Sequence, residues 1–428
     1  MKRGKKMNVL LIGSGGREHA LADQIDRSPL LTKLYAAPGN PGMAMLAECV
    51  ALDVADHEAV VQFAKDHDIG LVVIGPEAPL VAGLADDLEK AGIPAFGPSA
   101  MAAQLEGSKD FARAFCARHN IPQPQFASFD QVEAARAHLA EHYPDGYVVI
   151  KADGLAAGKG VVVSDTMDQA MDAIAMMLED NRFGDAGARV VIEDRIEGTE
   201  ASLFAMVDGN NAIMIGSAQD HKRAYDNDEG PNTGGMGAVS PAPALTDALC
   251  QQAWDDIVLP VVRGMAEEGT PYRGFLYTGL MLTKTGPQVI EFNCRFGDPE
   301  AQTILPRLKS DLLSAMATAN EGGLGHTDLR FHDGAAVTVV MVNGGYPGSY
   351  EKGGVIQGLT PDDQDENIMV FHAGTAEKDG AIIATGGRVL AVTGMASDQA
   401  SARKAAYDRV AGISWPNVFF RKDIAQIK

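Results

Sequence analysis

Along the first hundred residues, short β-branched runs alternate with amphipathic stretches: Val9–Ile12, Glu18–Asp26, Leu34–Ala36, His57–His67 and Leu71–Ile74. This alternation predicts βαβ units and a parallel sheet over residues 7–107. The turns Gly13-Ser14-Gly15-Gly16, Pro38-Gly39-Asn40-Pro41-Gly42 and Gly75-Pro76-Glu77 all follow strands, where open α/β sheets form their ligand crevice. Ser108–His119 reads as a helix that Ile121-Pro122-Gln123-Pro124 stops, because proline cannot continue a helix and restricts the residue before it.

Past that break, Tyr147–Lys151, Val161–Ser164, the helix Met167–Leu178 and Val190–Glu193 make a compact α+β unit over 128–197, small enough to serve as a lid. Residues 108–127 and 198–328 form a larger central unit. Strands at Ala336–Val342, Asn367–His372 and Ile382–Val392, followed by a helix at Ser397–Val410, give a β-rich unit over 329–428. The expected fold is therefore multidomain, α/β at the N-terminus and α+β beyond it.

Composition narrows the function. A chain of 428 residues, 46% hydrophobic, exceeds what one core organises. A formal net charge of -21 argues against nucleic acid or an anionic membrane as partner, since those surfaces are bound by massed Lys and Arg. Any phosphate ligand must therefore be met by locally gathered cations. No run of eighteen apolar residues occurs, and the basic Met1–Lys6 leads straight into a strand rather than a signal-peptide core, so a cytoplasmic location is expected, with Met1 or Met7 as the start. Cys49, Cys116, Cys250 and Cys294 are far apart and form no C-x-x-C pair, which predicts reduced, mostly buried thiols. The ten histidines show no zinc-like spacing.

Four motifs carry candidate chemistry. Gly13-Ser14-Gly15-Gly16-Arg17-Glu18 opens a helix, but a dinucleotide fingerprint needs a third glycine where Glu18 stands. What survives is a glycine turn at a helix N-terminus, suited to one phosphate, with Gly15, Gly16, Arg17 and Glu18 as substrate contacts. Lys151-Ala152-Asp153-Gly154-Leu155-Ala156-Ala157-Gly158-Lys159-Gly160 has three residues between its glycines and no hydroxyl after the lysine, which excludes a Walker loop. A strand–loop–strand of this composition makes a flap over phosphates, with Lys151 and Lys159 neutralising charge beside Gly158 and Gly160. In Val289-Ile290-Glu291-Phe292-Asn293, strand alternation puts Glu291 and Asn293 on one face and Ile290 and Phe292 on the other, so two oxygen ligands converge as Mg²⁺ requires. Asp220-His221-Lys222-Arg223 and Pro231–Ala238 form a polar, glycine-rich stretch that could order around substrates.

Taken in order, GGREHAL at Gly15–Leu21, Gly75–Val81, Gln104–Lys109, the Lys151–Val161 loop, Gln219–Arg223, Pro231–Ala238 and EFNCRFGDPE at Glu291–Glu300 resemble the phosphoribosylamine–glycine ligase family of ATP-grasp enzymes, from Met7 to the end. The resemblance implies an N-terminal substrate domain, a lid, a central ATP-grasp domain and a C-terminal domain. It implies that Lys109 and Lys151 contact ATP phosphates, that Glu193 and Ile196 present backbone atoms to adenine, and that Glu200 holds the ribose. Glu291 and Asn293 would bind Mg²⁺ or Mn²⁺; Asp220, Lys222 and Arg295 would meet substrate. Arg295 and Lys151 would stabilise the transferred phosphoryl group.

Glycine and 5-phosphoribosylamine are the implied small-molecule partners, with a transient contact to the amidotransferase that makes the short-lived amine. Three alternatives stand beside this one: a sister ligase using formate or bicarbonate, a nicotinamide-dependent oxidoreductase resting on the first glycine turn alone, and a non-catalytic nucleotide-binding regulator. The last would require loss of Lys151, Glu291 or Asn293, all of which are present.

Overall fold

The computed structural model describes residues 6–155, 160–179, 188–360 and 367–427. Its N-terminal unit is a parallel sheet of β1 (Met7–Gly13), β2 (Leu31–Pro38), β3 (Glu48–Cys49), β4 (Ile69–Ile74) and β5 (Ala95–Phe96), in the order β3-β2-β1-β4-β5. Val9–Ile12 are fully buried because helices cover both faces, which is why β1 reads as a continuous apolar run. The strand order reverses between β1 and β4, so the turns after Gly13 and Ile74 flank the switch point. Gly75 donates its N–H to the Ile12 carbonyl there at 3.1 Å.

A small antiparallel sheet follows, β6 (Phe126–Phe129), β7 (Val148–Ala152), β8 (Val161–Ser164) and β9 (Val190–Asp194), in the order β6-β9-β7-β8. Helices Val132–His142 and Met167–Ile174 cover it and form a separate core around Leu139, Ile150, Ile174 and Ile192. Thr166 caps the second helix by accepting from the Gln169 N–H.

The third layer is one nine-stranded sheet. It starts with Gly286–Asn293 and Arg273–Thr283, then β10 (Thr199–Asp208) and β11 (Ala212–Asp220), and crosses through Gly237–Ser240 to Ala335–Asn343, Arg388–Ala396 and Ile368–His372, with Val418–Phe419 pairing Ala335–Asn343 as the ninth. Its crossing rests on two register pairs, Gln219 with Val239 and Asp220 with Ala238. The strand expected over Ile382–Val392 is two strands, Ala381–Ala384 and Arg388–Ala396, in different sheets, because Gly386 and Gly387 turn the chain between them. Among the cysteines, Cys116 and Cys294 are buried, Cys250 is half-buried and Cys49 exposed, all unpaired.

Candidate active site

A cleft of about 740 Å³ lies where the three layers meet. Arg17 and Glu77 reach it from the switch point of the parallel sheet; Lys151, Gly160 and Ile196 come from the small sheet and its edge; Glu200, Asp220, Lys222, Glu291, Asn293 and Arg295 come from the large one.

Its floor turns on a β-bulge. Gly279 pairs with Glu291 but Leu280 pairs with Val289, so Ile290 is the extra residue. The predicted alternation therefore fails by one step: Val289 and Phe292 are buried, while Ile290 lines the cleft beside Glu291. Ile290's carbonyl, freed from the ladder, accepts from Lys151 Nζ at 2.9 Å and from Arg113 at 2.7 Å. Arg113, fully inside, also grips both oxygens of Glu193 at 2.8 Å, and Lys151 Nζ lies 2.9 Å from the same carboxylate. Burial lowers the Lys151 ammonium despite Glu193 beside it. Glu193 therefore spends its side chain on this triad while its backbone pairs with Phe126 on one side and Val149 on the other. The ladder ends at Asp194, and the backbone through Ile196 faces the cleft.

Lys109 donates to the Gly154 carbonyl and is also lowered by burial. Gly158 and Lys159 lie outside the described residues. Glu200 accepts from Lys222 Nζ at 2.9 Å, and the same ammonium stands 3.6 Å from Glu291. Burial would raise the Glu291 carboxyl, but Lys222, Lys151 and Lys109 outweigh it and hold it low, so it is anionic. Asn293 Oδ1 accepts from Arg295 at 3.1 Å.

Arg295 is held by carboxylates that the sequence reading did not assign: Glu77 at 3.0 Å and Glu106 at 2.7 Å. Burial alone would raise Glu77, yet Arg295 and Arg17 keep it below its usual value. Much of Arg295's charge is thus already matched, and it orders Asn293 as well as facing the cleft. Both carboxylates sit in stretches that stood out as motifs, Gly75-Pro76-Glu77 and Gln104–Lys109, but nothing in sequence told that they would converge on one guanidinium.

At the glycine turn a side chain stands where the composition suggests a phosphate cradle. Glu18, 2% exposed, folds its carboxylate into the turn, where Oε2 accepts from the Gly15 N–H at 2.7 Å and Oε1 from Arg17 at 2.6 Å. A Cβ at Gly13 or Gly75 would strike the Glu18 side chain at 2.4 or 2.3 Å, so these glycines make room for Glu18. An anion there would meet a carboxylate already capping the helix. Arg17, not the backbone of Gly15 and Gly16, reaches the cleft.

Asp298 and Arg388 complete the wall. Arg388 donates to the Asp298 carbonyl at 2.7 Å and lies 3.4 Å from its carboxylate, which also takes the Arg17 N–H at 3.4 Å and the Gln302 amide at 2.7 Å. Tyr346 and Arg388 come from the C-terminal unit and carried no motif.

Oxygen donors from Glu291 and Asn293 fit a hard divalent cation, and one lone pair of Asn293 Oδ1 remains after Arg295. Among the described residues no three His, Cys, Asp or Glu side chains gather to hold a metal, so a cation here would share this pair with ligand oxygens.

Comparison with known proteins agrees with this architecture. The ATP-grasp domain model of phosphoribosylglycinamide synthetase matches residues 107–301, and the N and C domain models match 7–106 and 336–427. Phosphoribosylamine–glycine ligase of Mesorhizobium japonicum is 53% identical over 418 residues, 98% of this chain and 97% of that protein. The Escherichia coli O157:H7 enzyme of that name is 50% identical over 422 residues, 98% of each chain. The crystal structure of the Thermotoga maritima ligase superposes with a TM-score of 0.83 at 31% identity, covering 97% of this chain and all of that one. A biotin carboxylase domain of Hydrogenobacter thermophilus 2-oxoglutarate carboxylase, solved with MgADP, has a TM-score of 0.75 over 97% of this chain and 92% of its own, and at 17% identity shares the fold alone. With all three of its parts matched and relatives at half identity over nearly the full length, the chain belongs to the phosphoribosylamine–glycine ligase family of ATP-grasp enzymes.

Proposed function

We infer that the chain joins glycine to 5-phosphoribosylamine with ATP, releasing glycinamide ribonucleotide, ADP and phosphate, a step of purine synthesis. The observation that carries this is the convergence, in one cleft, of Lys109, Lys222 and the buried Lys151, an oxygen-ligand pair and the switch point of the parallel sheet.

ATP lies between the small sheet and the large one. The backbone near Ile196 meets adenine, Glu200 takes the ribose hydroxyls, and Lys109 and Lys151 meet the phosphates, with Gly160 beside them. Glu291 and Asn293 hold Mg²⁺ or Mn²⁺, which when bound neutralises charge on the transferred group. Lys151 is fixed by Glu193 and the Ile290 carbonyl, so little reorganisation accompanies the reaction.

The glycine carboxylate oxygen attacks the γ-phosphorus in line; the bond to ADP breaks and glycyl phosphate forms. The amine of phosphoribosylamine then attacks the acyl carbon, loses a proton, and phosphate departs with the amide formed. The 5-phosphate meets the guanidinium groups of Arg17 and Arg388 at the Asp298 corner. The four-stranded unit acts as a lid that keeps water from the acyl phosphate.

No described helix is long and apolar enough to cross a membrane. A cytoplasmic reaction, with hand-off of the unstable amine from its amidotransferase, suits this chemistry. The test is ADP release with Mg-ATP, glycine and phosphoribosylamine generated in place, omitting each in turn. Release that needs all three and yields glycinamide ribonucleotide by mass is expected; turnover with formate or bicarbonate instead would move the chain to the sister reaction.

A further inference from the structure

Beyond Lys222 the chain leaves the large sheet as a hairpin, Arg223–Tyr225 against Glu229–Asn232, in a two-stranded sheet of its own. Ala224 is buried, whereas Arg223, Tyr225 and Glu229–Asn232 are exposed. A pair of strands with so little apolar cover is marginal in water. Its root nevertheless shapes the cleft: the Lys222 carbonyl accepts from the Thr233 N–H at 2.8 Å and from the Thr233 hydroxyl at 2.9 Å, and Lys222, Asn232 and Thr233 line the wall. The hold on this hairpin comes from the end of the chain. Arg421, 1% exposed, donates from Nε and Nη2 to the two oxygens of Asp423 at 2.8 and 2.7 Å. Its Nη1 donates to the Arg223 carbonyl at 3.0 Å and lies 2.9 Å from Asp228 Oδ1. Around it the Lys422 N–H donates to Asp226 at 2.7 Å, the Asn227 N–H to Asp423 at 2.8 Å, and the Ala425 N–H to His221 Nε2 at 3.1 Å. The tail is itself fixed to the helix Gln399–Val410, where the Tyr407 hydroxyl donates to the Arg421 carbonyl at 2.7 Å and Arg403 to the Ile424 carbonyl at 2.9 Å.

The Arg421 guanidinium thus ties both the first strand and the turn of the hairpin to the C-terminal unit, and its planar fork lets one group reach both. Lys222, next in the chain to Arg223, bonds Glu200 and stands near Glu291. We propose that Arg421 is a positioning residue: with Asp423 it latches the hairpin to the C-terminal unit and thereby sets Lys222 between Glu200 and Glu291. The assignment rests on the nucleotide placement given above, in which those two carboxylates serve the ribose and the metal of Mg-ATP. With the latch open, only a fraction of molecules hold Lys222 in place before the nucleotide arrives, and the apparent affinity falls by that fraction.

Arg421→Lys keeps the charge and loses the fork. Asp228→Asn acts from the other side, at a side chain 61% exposed whose φ of 56° asparagine tolerates. Two quantities are read on the full chain: hydrogen exchange of the amides over 223–232, and the dissociation constant of a fluorescent ATP analogue with Mg²⁺. In Arg421→Lys both are expected to rise about tenfold, and in Asp228→Asn about threefold, with exchange in the parallel sheet as in the parent. A merely structural role would lower the fraction of chains that bind and leave the dissociation constant of the rest unchanged. In a Lys222→Met background, Arg421→Lys should weaken binding no further, because the residue through which it acts is gone. Exchange or affinity within twofold of the parent in Arg421→Lys, or an undiminished effect beside Lys222→Met, would overturn the latch. Should Arg421→Lys fail to fold, Asp228→Asn decides, and unchanged exchange and affinity there overturn it equally. A parent chain that binds the analogue without glycine-dependent turnover would instead overturn the ligase reading and leave the latch standing.

Discussion

His19 is wholly buried; the His372 backbone N–H donates to its Nδ1 at 2.8 Å, and its Nε2 has no hydrogen-bond partner among the described residues. Burial, reinforced by His372, lowers its pKa from 6.5 to about 3. Between those values the unfolded chain binds a proton that the folded one does not, so stability falls as pH drops below the unfolded value, by about 2 kcal/mol from pH 7 to pH 5. His19→Gln can still accept from His372 and should flatten that slope; urea midpoints at the two pH values check it, and equal slopes in parent and variant would count against it. Glu291→Gln should abolish ligation with an unchanged far-ultraviolet spectrum and melting temperature, because it removes the anionic oxygen that three lysines keep ionised; full turnover in that variant would sink the metal assignment. His19 also shows how far motifs reach. GGREHAL was legible as a family mark, but within it Glu18 caps its own helix and His19 anchors the C-terminal unit, and neither role shows in sequence because both partners depend on packing. Arg113, with no motif around it, proved central to the cleft floor.

At the scale of elements, the strand–helix alternation of the first hundred residues was readable because period and spacing are local properties. The bulge at Ile290 was not, since it exists only in register with Arg273–Thr283, and it decides which carbonyl Lys151 meets. The four-stranded unit has its own core, and its two chain crossings touch: the Asp194 N–H donates to the Gln125 carbonyl at 2.9 Å. Replacing residues 127–193 by a short Gly-Ser linker should therefore leave the other units folded, provided Arg113→Met accompanies it, because Arg113 without Glu193 would be a buried unpaired charge costing about 3–5 kcal/mol. A cooperative melt with loss of binding to a fluorescent ATP analogue is expected; a chain without a melting transition would refute this autonomy.

Over the whole molecule, the large sheet passes from the central unit into the C-terminal one without an edge. Truncation after residue 328 should uncover the unpaired side of Gly237–Ser240 along with a broad apolar face, and yield an aggregating product. A monodisperse, folded fragment in light scattering would contradict that. The fusion of the units through one sheet could not be read from the sequence, because pairing across a hundred residues leaves no local trace.

The seam between Asp220 and Ala238 has a meaning for descent as well. A gene segment ending after the Glu291–Asn293 strand would encode the whole oxygen-ligand pair, yet its product would carry an open sheet. The C-terminal unit is thus not a cassette that recombination can exchange freely: a replacement must bring a strand that matches four residues of another unit in register, on the strand next to Asp220.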